Sequence, residues 1–283
     1  MQLSFIIQGS NGKPMAADLH VGANKKNAPI LLYAHGFNGF KDWGNGTLMA
    51  QQLVDAGFAV LKFNFSHNGT TPEAMEEFTD LEAFSENNYT KQLFDLSQVL
   101  QWITQDSNPH KQYINVNKIG LIGHSMGGGI AILQAAIDGR IKALCTWAAI
   151  GECKTPWGSW SQTQMEAWRS TGTAFYLNGR TKQEMPMHYQ LYLDFLNNKE
   201  ALDIHAAAKN IGIPWLICHG KDDTSVLPAV AESLHQLNAN STLFITDGDH
   251  VFDRTHPWHA TTLPLAANKL LKATIDFFTF TFS

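Results

Sequence analysis

What most constrains this chain is an alternation: short apolar, β-branched runs bounded by turn residues recur along it, with helical segments between them. Parallel strands need long crossovers and become buried on both faces, so this order predicts an α/β fold with a mostly parallel sheet between helices. Leu3 to Gln8 and Pro14 to Val21, separated by the turn Gly9-Ser10-Asn11-Gly12, read as an opening antiparallel pair. Six further runs read as strands: Ile30 to Ala34, Phe58 to Phe63, Lys118 to Gly123, Lys142 to Ile150, Ile213 to His219 and Thr242 to Thr246. A central sheet of about eight strands follows. Thr47 to Ala56, stopped by Gly57, and Tyr89 to Gln105, with Leu93, Leu96, Leu100 and Ile103 on one face, read as amphipathic helices.

The rhythm breaks from Gly151 to about Asn210, a stretch longer than an ordinary crossover and without a clear strand. We read one core, 1–150 with 211–283, interrupted by an inserted helical lid at 151–210. At 283 residues, 44% hydrophobic and 16% charged, the chain can bury a sizeable core as a single unit. A net charge of -5 with only 20 Lys+Arg offers no basic patch for nucleic acid or an anionic membrane, so a small-molecule partner is expected. Cys145, Cys153 and Cys218 form no C-x-x-C pattern and are expected as free thiols. The start Met1-Gln2-Leu3-Ser4-Phe5 has no basic, apolar leader, and no run of 18 apolar residues occurs, so a cytoplasmic location is expected. The apolar run Ile275 to Phe280 reads as the buried end of a last helix.

Chemistry enters at Gly123-His124-Ser125-Met126-Gly127, which follows the strand at Lys118 and opens the helix-like run from Ile130. A bare Gly-x-Ser-x-Gly decides nothing alone. Between a strand and a helix, however, the turn is so tight that side chains two before and two after the serine would clash, which requires glycine at both places. Such a turn exposes Ser125 and aims the Met126 N–H, at a helix N-terminus, towards a developing oxyanion. The Lys-Ser/Thr ending of a phosphate-binding loop is missing.

A serine hydroxyl needs a histidine within hydrogen-bond reach, held in the right tautomer by a carboxylate. The loop His219-Gly220-Lys221-Asp222-Asp223-Thr224-Ser225-Val226 puts two carboxylates at the end of a strand, and Asp247-Gly248-Asp249-His250 puts a histidine after the last one. His250 is the expected base; Asp223 and Asp222 both stand as its partner. His124 is read as no more than the serine's neighbour. His250, His256 and His259, with Asp249 and Asp253, do not match the spacing of a helical metal site, so no metal or other cofactor is expected. The loop His35-Gly36-Phe37 should supply the second oxyanion donor through the Phe37 backbone N–H.

With these motifs in this order, the chain resembles the α/β-hydrolase superfamily across nearly its whole length, and most of all the cinnamoyl/feruloyl esterase and prolyl-oligopeptidase-like branch, related to dienelactone hydrolases. The resemblance rests on the H-G-F loop, on Phe63-Asn64-Phe65-Ser66-His67-Asn68-Gly69 and on the G-H-S-M-G turn. It implies the α/β-hydrolase fold and a Ser125, His250, Asp223 triad, the H-G-x-x-D-x-x-V pattern of these enzymes favouring Asp223 over Asp222. Dienelactone hydrolases carry cysteine where Ser125 stands, which lowers the weight of lactone opening. No propeller-sized region precedes the core, so peptidase activity ranks second.

The expected reaction is therefore ester hydrolysis through an acyl-enzyme, on a small to medium ester and without cofactor. Thioester cleavage would use the same residues, and a ligand-binding receptor on the same fold is the non-enzymatic alternative. The 151–210 segment is rich in aromatic and Met side chains, which suits an apolar or aromatic acyl pocket; Trp157, Trp160 and Tyr189 are the expected substrate contacts.

Overall fold

The computed structural model describes residues 1–23 and 25–283. Its main sheet holds β1 (Gln2–Gln8), β2 (Pro14–His20), β3 (Ala28–Ala34), β4 (Ala59–Phe63), β5 (Ile114–His124) and β6 (Ile141–Trp147), joined late in the chain by β9 (Trp215–Gly220) and β10 (Ser241–Thr246). The order across the sheet is β1-β2-β4-β3-β5-β6-β9-β10. β2 pairs antiparallel with β1 and β4, and the remaining pairs are parallel. All eight expected strands are present in one sheet, as the α/β-hydrolase fold requires.

The central strands read as nearly unbroken apolar runs because both of their faces are covered. On one face α1 (Gly46–Asp55) and α9 (Leu265–Phe282) bury Met49, Leu53, Leu270 and Phe278; on the other α3 (Tyr89–Thr104), α4 (Met126–Ile137) and α8 (Pro228–Leu237) bury Leu96, Ile130 and Leu234. The run Ile275 to Phe280 belongs to α9, with Phe278 fully buried and Phe280 exposed. The three cysteines are free and buried. No helix among the described residues is long and apolar enough to cross a membrane.

Most strand boundaries fall within two residues of the sequence reading, and two differ by more. β5 begins at Ile114 rather than Lys118, and β6 stops at Trp147 rather than Ile150, because Ala148 takes a positive φ of 46° and turns the chain under the end of β5. The 151–210 segment is not all helical. Besides α5 (Gln162–Thr171) and α6 (Gln190–Asn197), it holds an antiparallel hairpin, β7 (Thr173–Leu177) with β8 (Glu184–His188). In β8, Met185 and Met187 are buried while Pro186 between them is not, the period of two that a half-covered strand shows. The last helix of the segment, α7 (Ile204–Asn210), packs on α4 and α8 of the core.

Candidate active site

The chain passes from β3 out to β4 and returns to β5 on the other side of β3, so the carboxyl ends of β3 and β5 flank a topological switch point, where open α/β sheets place their ligands. Ser125 stands there, between β5 and α4, with φ of 54° and ψ of -119°. The flanking glycines are needed by contact. A Cβ at Gly127 would come within 2.3 Å of the His35 carbonyl oxygen, and one at Gly123 within 2.5 Å of the Gly127 carbonyl oxygen. The strained serine is fixed by its own backbone: its N–H donates to Trp147 O at 2.9 Å, and its carbonyl accepts from Gly128, Gly129 and Ile150.

The loop after β10 brings His250 to this serine. Its Nε2 lies 2.9 Å from Ser125 Oγ, and its Nδ1 lies 2.7 Å from Asp223 Oδ2. Asp223 is buried and its oxygens are fully engaged: Oδ1 accepts the N–H groups of Ser225 and Val226, and Oδ2 also faces His219 Nε2 at 3.1 Å. Burial works against its charge, but the hydrogen bonds from His219 and His250 outweigh burial and hold the carboxyl well below the usual carboxylate range. Asp223 is thus ionised and presents an acceptor to His250 Nδ1–H. Asp222, its neighbour, is exposed and reaches only the Gly248 N–H, at 3.4 Å.

The two expected oxyanion donors flank the serine. Gly36 comes so near that a Cβ there would lie 3.0 Å from Ser125 Cβ, and neither the Phe37 nor the Met126 N–H donates to a protein group among the described residues. The Gly36–Phe37 peptide is held from behind. Phe65 N–H donates to His35 Nε2 at 3.2 Å, so the proton of His35 is on Nδ1, which donates to Gly36 O at 2.9 Å.

Ser125 and His250 open into a cavity of about 760 Å³. Phe37, Ile150 and Tyr176 give it apolar lining, and Glu152, Lys154 and His205 give it polar lining. Trp157, Trp160 and Tyr189 do not line it. Trp157 packs on Tyr192 and Phe195, and Trp168 packs on Trp160 and Tyr189, so these rings bind the 151–210 segment to itself. The aromatic side chain that the segment does send to the cavity is Tyr176, on β7. His256 lies elsewhere, edge-on to Phe40 and stacked on Trp43, with its Nδ1 accepting Gly44 N–H at 3.1 Å.

Comparison with known families settles the ancestry: the model of the alpha/beta hydrolase fold matches residues 29–203. The chain belongs to the α/β-hydrolase family. Among curated proteins this α/β hydrolase is similar to 2,6-dihydropseudooxynicotine hydrolase from Paenarthrobacter nicotinovorans, at 23% identity over 85% of this chain and 57% of that one. It therefore spans little more than half the length of that relative. Among solved structures it is similar to a putative hydrolase from Agrobacterium vitis S4, with a TM-score of 0.72 and 17% identity over 98% of both chains. It is also similar to Est1E from Butyrivibrio proteoclasticus with ferulic acid bound, with a TM-score of 0.69 and 17% identity over 98% of this chain and 99% of that one.

In this α/β hydrolase three histidines have structural links to the site that the sequence reading missed: His35 behind the Gly36–Phe37 peptide, His219 against Asp223, and His124. The signal was present, since each lies inside a quoted motif, but a motif shows adjacency along the chain and not which ring nitrogen meets which oxygen.

Proposed function

We propose that this chain is a serine carboxylesterase in which Ser125 is the nucleophile, His250 the general base and Asp223 the acid that orients it. The observation that carries the proposal is the unbroken relay from Ser125 Oγ through His250 to Asp223, at 2.9 and 2.7 Å, opening into a cavity. Ser125 Oγ attacks the ester carbonyl carbon as His250 Nε2 takes its proton, and the Phe37 and Met126 N–H groups hold the oxyanion. The C–O bond to the alcohol breaks, and His250 returns the proton to the leaving oxygen. Water then attacks the acyl-enzyme with the same histidine as base, which releases the acid and regenerates Ser125.

The substrate we propose is a small to medium ester with an apolar or aromatic acyl group, without cofactor, nucleic acid or membrane partner, in the cytoplasm. Phe37 and Tyr176, which line the same cavity as Ser125, favour it, as does the likeness to Est1E, a protein solved with ferulic acid. Residues 151–210 act as a cap in this reading, since they contribute Tyr176, Glu152 and Lys154 to the cavity. Hydrolysis of a panel of p-nitrophenyl esters by the native protein beside Ser125→Ala tests the proposal. Turnover that vanishes with the hydroxyl supports it. Stoichiometric capture of ligand without repeated turnover would instead mark a receptor, and preference for a thioester or a peptide bond would move the substrate class.

A further inference from the structure

His124, the residue before the nucleophile, has no place in the relay. Its ring is buried, and its Nε2 lies 2.9 Å from the main-chain carbonyl oxygen of His250. A carbonyl oxygen only accepts, so His124 Nε2 carries the hydrogen. Burial first, then the nearby His250 and Arg254, hold the pKa of this ring well below the usual histidine range, in keeping with a neutral ring. Among the described residues no other group donates to that carbonyl.

The loop it meets needs such a tie. Between β10 and the exposed segment beyond, Gly248, Phe252 and Asp253 all adopt positive φ, at 110°, 57° and 60°, and no regular secondary structure holds His250. On its outer side the loop is pinned by Asp249 Oδ1, which accepts the N–H groups of Val251 and Asp253. On its inner side Arg254 Nε donates to Val251 O and Asp222 N–H donates to Gly248 O, while the link from β5, and the one made to His250 itself, is His124. Because His124 is the last residue of β5 and Ser125 follows it directly, the nucleophile and the backbone of the base are both referenced to one strand end.

We infer that His124 is a positioning residue, whose Nε2–H, by holding the His250 carbonyl, sets the distance between His250 Nε2 and Ser125 Oγ. The inference rests on the serine-hydrolase reading above. It assigns His124 no contact with substrate and no proton transfer. A displaced base weakens attack without weakening binding, so the effect falls on kcat and not on KM.

The test compares His124→Leu, which removes the donor at similar bulk, with His124→Gln, whose amide nitrogen reaches the place of Nε2. The readouts are kcat and KM on a p-nitrophenyl ester, the rate at which a fluorophosphonate labels Ser125, and the melting temperature. His124→Leu should lower kcat and the labelling rate roughly ten- to hundredfold, with KM within about twofold and the melting transition still cooperative. His124→Gln should recover most of that loss. A leucine variant with native kcat, or a glutamine variant no faster than leucine at equal melting temperature, overturns the inference. If the leucine variant does not fold, His124→Asn, whose amide falls short of the carbonyl, replaces it against His124→Gln with the same expected order. Native protein that neither turns over an ester nor takes the label overturns the hydrolase reading itself, and this inference with it.

Discussion

The ring of Tyr176 stands edge-on to the ring of Phe37, their centroids 5.5 Å apart and their planes at 75°. One ring comes from the β7–β8 hairpin and the other from the loop after β3, and both line the cavity that Ser125 lines. Aromatic pairs of this geometry contribute about 0.5 to 1.5 kcal/mol beyond their buried area. Tyr176→Ala should therefore raise KM for esters of aromatic acids by roughly three- to tenfold and leave an acetyl ester nearly unchanged. Equal losses on both substrates would remove Tyr176 from acyl recognition.

The two neighbouring aspartates make a sharper pair. Asp223→Asn keeps the shape but takes away the charge and one acceptor from His250, so kcat should drop roughly 10³- to 10⁴-fold. Asp222→Asn alters only an exposed side chain whose one hydrogen bond spans 3.4 Å, and should stay within about threefold of native. Steady-state kinetics of both variants on one ester decide this, and a larger loss in Asp222→Asn would refute the assignment.

Three other histidines shape the response to acid. Burial pulls the pKa of His20, His35 and His67 down to about 4 each, from an ordinary 6.5. In the unfolded chain they take protons below about pH 6.5 that the folded chain refuses until about pH 4, so stability is full above that window and falls through it as pH drops. The loss is at most about 3 kcal/mol per ring. Asp95, pushed up to about 6 by burial, runs the other way, since the folded chain keeps a proton there that the unfolded chain has lost. With His124 and His256 also held below the usual histidine range, these rings outnumber Asp95 and leave a net loss. The urea midpoint should fall steadily from pH 7 to pH 5, and a flat midpoint across that range would contradict it.

Where β2 pairs with β4, Lys41 Nζ bonds both Asp18 and Asp42, and Lys62 Nζ also bonds Asp42, in a cluster almost closed to solvent. Removing one cation leaves a buried carboxylate without its partner, which costs far more than the pair itself stabilises. Lys41→Met should lower the unfolding free energy by about 3 to 5 kcal/mol without altering kcat of the molecules that remain folded. Denaturant titration with an active-site titre reads both, and a loss under about 1 kcal/mol would mean that the cluster behaves as a surface pair.

The sheet was legible because its central strands are buried on both faces, which forces continuous apolar runs such as Ile119 to Ile122. The Ser125 turn was legible for a related reason: where backbones approach this closely only glycine fits, and glycine is visible in a sequence. The β7–β8 hairpin was not. Phe175 and Leu177 are exposed, so β7 shows no buried face, and Pro186 argues against a strand although it sits at one. Asn178-Gly179 was the available turn signal. Aromatic density in the inserted segment pointed to a pocket, yet nothing in composition tells which rings face the cavity and which face one another; Trp168 and Tyr189 meet at 5.3 Å instead. The choice between Asp222 and Asp223 likewise depends on which of two adjacent side chains turns inward.

The hairpin reaches the cavity through Tyr176 and, through its turn, the loop after β3. Asn178 Nδ2 donates to Asn38 Oδ1 at 3.4 Å, Arg180 lies over the ring of Phe40, and Asn38 itself holds a positive φ of 58°. An exchange of this segment between related chains would thus transplant more than a different fit for substrate. Under the proposed mechanism rate and selectivity would travel together in such chimeras, because residues 151–210 lean on the loop that would hold the oxyanion.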